Sequence, residues 1–177
     1  MSKTALLVID VQQACMDGPP ASARAAQVLA TLNRVIAKAR KRGMPVIFIQ
    51  HNGPKGSPLE PGQDGWKLHS ALERHESDAV IRKSFSDCFH ATTLAATLSR
   101  LGAEALWITG YATDFCVAST VNGAAFRGFP VTVIADAHTT KDRPHAKGET
   151  LIDHYNWVWS NLGAPAPIRV VPCDELP

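Results

Sequence analysis

A carboxylate, an ammonium group and a thiol each stand where an apolar run ends: Asp10 after Leu6-Leu7-Val8-Ile9, Lys83 after Ile81-Arg82, and Cys116 within Gly110-Tyr111-Ala112-Thr113-Asp114-Phe115-Cys116-Val117. A free cysteine has a pKa of about 8.5, so chemistry at Cys116 near neutral pH needs a group that takes its proton or stabilises its charge. The run Ala105 to Thr109 reads as a buried strand. Val117, Val121, Ala124 and Ala125 then recur at helical spacing before Arg127-Gly128, which places Cys116 near a helix N-terminus. Free N–H groups and the positive end of the macrodipole favour thiolate there. An ionised Lys83 beside Cys116 adds to that effect, and Asp10 can accept the thiol proton and later deliver it to a departing amine.

Three groups so far apart in sequence act together only if the fold gathers them. Strand-like runs cover Ala5 to Ile9, Val46 to Ile49, Ala79 to Ile81, Ala105 to Thr109, Val131 to Ala135 and Ile168 to Val171, and helical patterns alternate with them. Val28, Leu32, Val35, Ile36 and Ala39 mark the first helix, closed by Gly43 and Pro45. Leu94, Leu98 and Leu101 mark another, closed by Gly102. A last one carries Leu151, Tyr155, Trp159 and Leu162 before Gly163, with Pro144 in its first turn. This alternation predicts an α/β fold with a parallel six-stranded sheet in one domain, 1–177. Asp10, Lys83 and Cys116 follow the first, third and fourth strands, so they share the carboxyl edge where open α/β sheets bind ligands. Glycines and prolines between His51 and Ser77 exclude a long regular element and leave a functional loop at the same edge.

Composition sets the outer bounds. With 45% hydrophobic and 19% charged residues over 177, the chain reads as one globular domain. A net charge of +2, with only the short basic run Lys38 to Arg42, argues against a nucleic-acid partner. No stretch approaches the ~20 apolar residues of a membrane span, and Met1-Ser2-Lys3 leads straight into a strand without a secretory signal. The cysteines at 15, 88, 116 and 173 have neither C-x-x-C nor metal-ligand spacing, which points to a reduced, cytoplasmic setting.

The segment Gly110 to Val117 resembles the nucleophile signature of the isochorismatase-like cysteine hydrolases, a family that includes nicotinamidases and other small-molecule amidohydrolases. Leu6 to Gln12 is similar to its first strand with the catalytic aspartate, and Ile81 to Phe85 to its lysine segment, in the family's order and over roughly Thr4 to Val171. The resemblance implies a doubly wound, Rossmann-like three-layer α/β/α sandwich and a thioester on Cys116. Asp10 would be base then acid, and Lys83 the electrostatic partner. It further implies an oxyanion hole from the N–H groups of Ala112 and Cys116, a cis Tyr111-Ala112 bond, no cofactor, a small amide as substrate, and a homodimer or homotetramer. Gln12, Cys15, His51, Trp66, Tyr111 and Phe115 are the pocket candidates.

Two departures from the family pattern stand out. After the second strand, Gln50-His51-Asn52 lacks the aspartate followed two residues later by histidine that holds a metal in nicotinamidases, so no metal is expected, although His51, His69 and His75 invite the question. Cys15 replaces an aromatic residue, which widens the pocket and puts a second thiol near Cys116. Two other readings stay open: an isochorismatase-type vinyl-ether hydrolase, whose members typically lack the cysteine, and a non-hydrolytic thiol redox sensor or metabolite-binding protein.

Overall fold

The computed structural model describes residues 3–177; Met1 and Ser2, the start of the run read as leaderless, lie outside the described residues. Strands β1 (Thr4–Ile9), β2 (Val46–His51), β3 (Ala79–Lys83), β4 (Ala105–Tyr111), β5 (Val131–Thr139) and β6 (Ile168–Val171) form one sheet in the order β3-β2-β1-β4-β5-β6. Every neighbouring pair is parallel. The chain winds outward from β1 to β3, then returns to the other side of β1 with β4. That reversal is a topological switch point, and a crevice opens there at the carboxyl ends of β1 and β4.

β1 is apolar on both faces because both are covered. Ala5, Leu7 and Ile9 pack with residues of α3 (Leu94–Leu101), α4 (Ala118–Phe126) and α5 (Gly148–Asn161). Leu6 and Val8 pack on the other side against Val28, Leu32, Val35, Ile36 and Ala39 of α2 (Ala25–Lys41), which follows the four-residue α1 (Gln13–Met16). The three-layer α/β/α expectation therefore holds. No helix among the described residues is long and apolar enough to cross a membrane.

The last helix differs from its expectation. It starts at Gly148, whose N–H donates to Asp142 Oδ1 at 2.9 Å, and it ends at Asn161, so Pro144 lies in the turn before it and Leu162 is already extended. A polar side chain capping from six residues upstream carries no periodic signal. Trp159 of α5 is in the core, while Trp157 is exposed.

β5 runs to Thr139 instead of stopping at Ala135. Opposite β4, pairing passes from Ile108↔Val133 to Gly110↔His138, so β4 advances two residues while β5 advances five. This irregularity carries His138 alongside the end of β4. Gly110 itself has φ +120°, and a Cβ there would fall 2.1 Å from the Ile9 carbonyl oxygen. Only glycine lets β4 press so closely onto β1 at the crevice. Gly128 also has a positive φ, +89°, but open space around it. Gly110→Ala should therefore cost about 3 kcal/mol or more, combining overpacking with backbone strain, and Gly128→Ala only about 1–2. Denaturant titration of both variants checks the difference.

Candidate active site

Asp10 stands just past β1 with φ 49°, a left-handed conformation that aspartate tolerates better than most residues, and its N–H is held by the Ile49 carbonyl at 2.9 Å. Lys83 ends β3, with its carbonyl bonded by Asn52 N–H at 2.7 Å. Lys83 Nζ donates to Asp10 Oδ2 at 2.5 Å and to Cys116 Sγ at 3.2 Å. The sheet thus brings the three groups together, with Asp10 and Lys83 both buried and Cys116 half-buried.

Burial holds the Asp10 carboxyl above the usual carboxylate range, against the pull of Lys83. For Lys83, burial works against the charged form, yet the surrounding acidic groups, the Asp10 carboxylate foremost among them, together outweigh it and the ammonium is held above the ordinary lysine range. The thiol departs from expectation. Burial, reinforced by the Asp10 charge, pushes Cys116 up to about 11 despite Lys83, which favours the S–H form near neutral pH. Asp10 Oδ1 has no hydrogen-bond partner among the described residues, and a carboxylate oxygen of Asp10, a ring nitrogen of His51 and Cys116 Sγ lie within 4.8 Å of one another.

Cys116 is the fourth residue of a π-type turn, Thr113–Val117, that leads into α4. Val117 N–H and Phe115 N–H both bond the Ala112 carbonyl at 3.0 Å. Tyr111-Ala112 is a cis peptide bond. The Ala112 N–H has no acceptor among the described residues, and Ala112 faces the same cleft as the Cys116 side chain. Such a donor suits a developing oxyanion.

The cleft has a volume of about 280 Å³ and is lined by Asp10, Cys15, His51, Tyr111, Ala112, Phe115 and Cys116, together with Leu59, Ser86 and Arg143. Cys15 is buried, and desolvation pushes its thiol up to about 12. Burial lowers His51, and its Nδ1 lies 3.4 Å from Lys83 Nζ as an acceptor. Two pocket candidates are corrected. Gln12 is fully buried and serves as a clamp: Nε2 donates to the carbonyls of His51 at 3.0 Å and Trp66 at 2.7 Å, while Oε1 accepts from His51 N–H at 2.9 Å. Trp66 is outside the lining, its Nε1 bonded to Asn52 Oδ1 at 2.9 Å and its ring under the Arg82 guanidinium.

Arg143 was not legible in sequence. It forms a two-pronged ion pair with Asp114 (Nε to Oδ2 2.7 Å, Nη2 to Oδ1 3.0 Å), bonds Thr140 Oγ1 at 2.9 Å and lies over the Phe115 ring at 4.9 Å. The only available signal was Asp114, an acid two residues before the nucleophile that required a cation.

Asp10, His51 and Cys116 could in principle ligate a metal, but the Lys83 ammonium already occupies the charge position between Asp10 and Cys116, and a dication beside it would be repelled. His69 is engaged elsewhere, by Asp17 Oδ2 at 2.9 Å.

A family model described as the isochorismatase domain matches residues 4–157. A streptothricin hydrolase of Streptomyces noursei is 38% identical over 142 residues, 80% of this chain and 51% of that protein. A second one from that organism is 37% identical, with 57% of its length covered, so the chain spans about half the length of these curated relatives. A ureidoacrylate amidohydrolase of Methylobacterium radiotolerans is 30% identical over 76% of this chain and 66% of its own. The crystal structure of an isochorismatase from Pseudomonas putida KT2440 superposes with TM-score 0.89 at 26% identity, covering 98% of this chain and 90% of that one.

The raised thiol has a direct readout. Below its pKa the thiolate fraction grows roughly tenfold per pH unit. Alkylation of Cys116 by iodoacetamide, followed by peptide mass spectrometry, should therefore still be climbing steeply between pH 8 and pH 10, where an ordinary thiol would level off.

Proposed function

The chain belongs to the isochorismatase-like cysteine hydrolase family, and on that premise we propose that it hydrolyses the C–N bond of a small amide by acyl transfer to Cys116. The observation that carries this reading is the buried Asp10 carboxylate beside Cys116 Sγ, with Lys83 Nζ on one of its oxygens and no hydrogen-bond partner for the other among the described residues. A surface aspartate is a poor base; one whose pKa is raised by burial is a better one.

Asp10 takes the thiol proton as Sγ attacks the amide carbonyl carbon, and the Lys83 ammonium, 3.2 Å from Sγ, offsets the charge that develops on sulfur. The carbonyl oxygen becomes an oxyanion held by the N–H groups of Ala112 and Cys116. As the C–N bond breaks, Asp10 returns the proton to nitrogen, and ammonia or an amine leaves a thioester. Asp10 then deprotonates water, which attacks the thioester carbon. The proton passes to sulfur, and the carboxylic acid departs. The amidohydrolase relative supports this class of reaction, and a cleft of about 280 Å³ has room for a small amide.

A screen of small amides and ureas for ammonia release, run in parallel with Cys116→Ala and Asp10→Asn, tests the reading. Turnover should fall at least roughly 10³-fold in both variants. Turnover of isochorismate that survives Cys116→Ala would replace the thioester route with vinyl-ether hydrolysis.

Removing the cation tests the pair itself. Lys83→Met leaves a buried Asp10 carboxylate without its counter-charge, which costs about 3–5 kcal/mol unless the group protonates. Because Asp10 already sits above the usual range, that loss should shrink as pH falls and grow as pH rises. Denaturant titrations of the variant at pH 5 and pH 8 check the sign.

A further inference from the structure

His138 lies outside the cleft lining, yet it is fully buried and bonded to the turn that carries the thiol. Its Nδ1 is 2.9 Å from Thr113 Oγ1, and its Nε2 is 2.9 Å from Asn156 Oδ1. The Asn156 amide donates through Nδ2 to the Ala135 carbonyl at 3.2 Å, so Oδ1 is the acceptor facing the imidazole. His138 must then carry its proton on Nε2 and present a lone pair on Nδ1, to which the Thr113 hydroxyl donates. The Trp159 ring packs edge-on against the imidazole, with centroids 5.3 Å apart.

Thr113 opens the π-type turn whose fourth residue is Cys116, and it has no solvent exposure. A buried hydroxyl without a partner is costly, so this bond selects one setting of the turn. Its other end is fixed by the irregular pairing that brings β5 to Gly110. We infer that His138 is a positioning residue of this site: through Thr113 it fixes the turn that holds Cys116 against Asp10 and Lys83, without touching the substrate. The inference rests on Cys116 being the nucleophile. A chain Asn156–His138–Thr113 then links α5 through β5 to the turn that carries Cys116.

Two measurements on the full chain test this separately from the reading it rests on. Two-bond ¹H–¹⁵N spectra should show His138 as the neutral Nε2–H tautomer at pH 7, and Thr113→Val should shift its Nδ1 resonance. A Nδ1–H tautomer, or a resonance unmoved by the substitution, overturns the bond. The second measurement is the rate of Cys116 acylation by 4-nitrophenyl acetate, followed as 4-nitrophenolate release and referred to Cys116→Ala. Thr113→Val should lower that rate roughly 10- to 100-fold, because a small misplacement of a reacting atom costs about that much, and Thr113→Ser should restore most of it. Leu98→Ala in the α3 core should lower the melting temperature while leaving the acylation rate near that of the parent. An acylation rate in Thr113→Val equal to the parent's, or a fall matched by Leu98→Ala, overturns the positioning role. If the parent is acylated no faster than Cys116→Ala, the nucleophile assignment fails and the positioning role with it, whatever the His138 spectrum shows.

Discussion

Two opposite charges stripped of water must stay within about one hydrogen bond of each other, and that requirement governs the carboxyl edge of the sheet. Asp10 and Lys83 belong to strands separated by β2, and each side chain is almost wholly buried. Breaking such a pair costs several kcal/mol, so the strands that carry it cannot slip in register. The β2–β3 pairing of His51 with Lys83 and the Asp10 N–H bond to Ile49 supply that register from the backbone. The thiol enters from the opposite side of β1, through a glycine that alone permits the approach.

The pair also bears on why the Cys116 thiol is pushed upward. Desolvation acts on every group in the crevice, and each ammonium or guanidinium already faces a carboxylate: Lys83 faces Asp10, and Arg143 faces Asp114. Little positive charge is left over to stabilise a free thiolate. On the proposed thioester route, proton transfer would then accompany attack instead of preceding it, through Asp10 Oδ1, which has no hydrogen-bond partner among the described residues.

The central strands β1, β2 and β4 follow from apolar runs that are buried on both faces, and such runs are conspicuous in sequence, whereas their doubly wound order was legible only through the family resemblance. Asp10, Lys83 and Cys116 were legible as a set, because Asp10 follows one such run, Lys83 closes another and Cys116 lies just beyond β4, in an order and context that resemble the family's. Cys116 acidity was not, since helix position is visible in sequence and depth of burial is not. Arg143, Ser86 and Leu59 reach the cleft from irregular segments, where no periodicity records direction. Gln12 was legible as a residue that orients the site or its loop, but the partners it clamps were not, because they are backbone atoms of His51 and Trp66, and backbone carbonyls leave no trace in side-chain pattern. The length of β5 was hidden by the same kind of cause: its extra residues are absorbed by an irregularity that any apolar sequence could make.

The Gln12 clamp has a consequence for how this architecture diversifies. One buried amide ties the end of β2 to Trp66, and an isolated antiparallel bridge joins Gln12 to Leu68, so the stretch between Asn52 and Gln63 is anchored at both ends before it reaches the cleft. Insertions, deletions and wholesale exchange in that stretch need not disturb the charge pair beneath it, because loop length carries only a slowly growing entropic cost. Leu59 lies on this replaceable stretch and faces the cleft. The charge pair and the cleft-facing loop are therefore mechanically separable, one held by electrostatics and the other by anchors at its two ends.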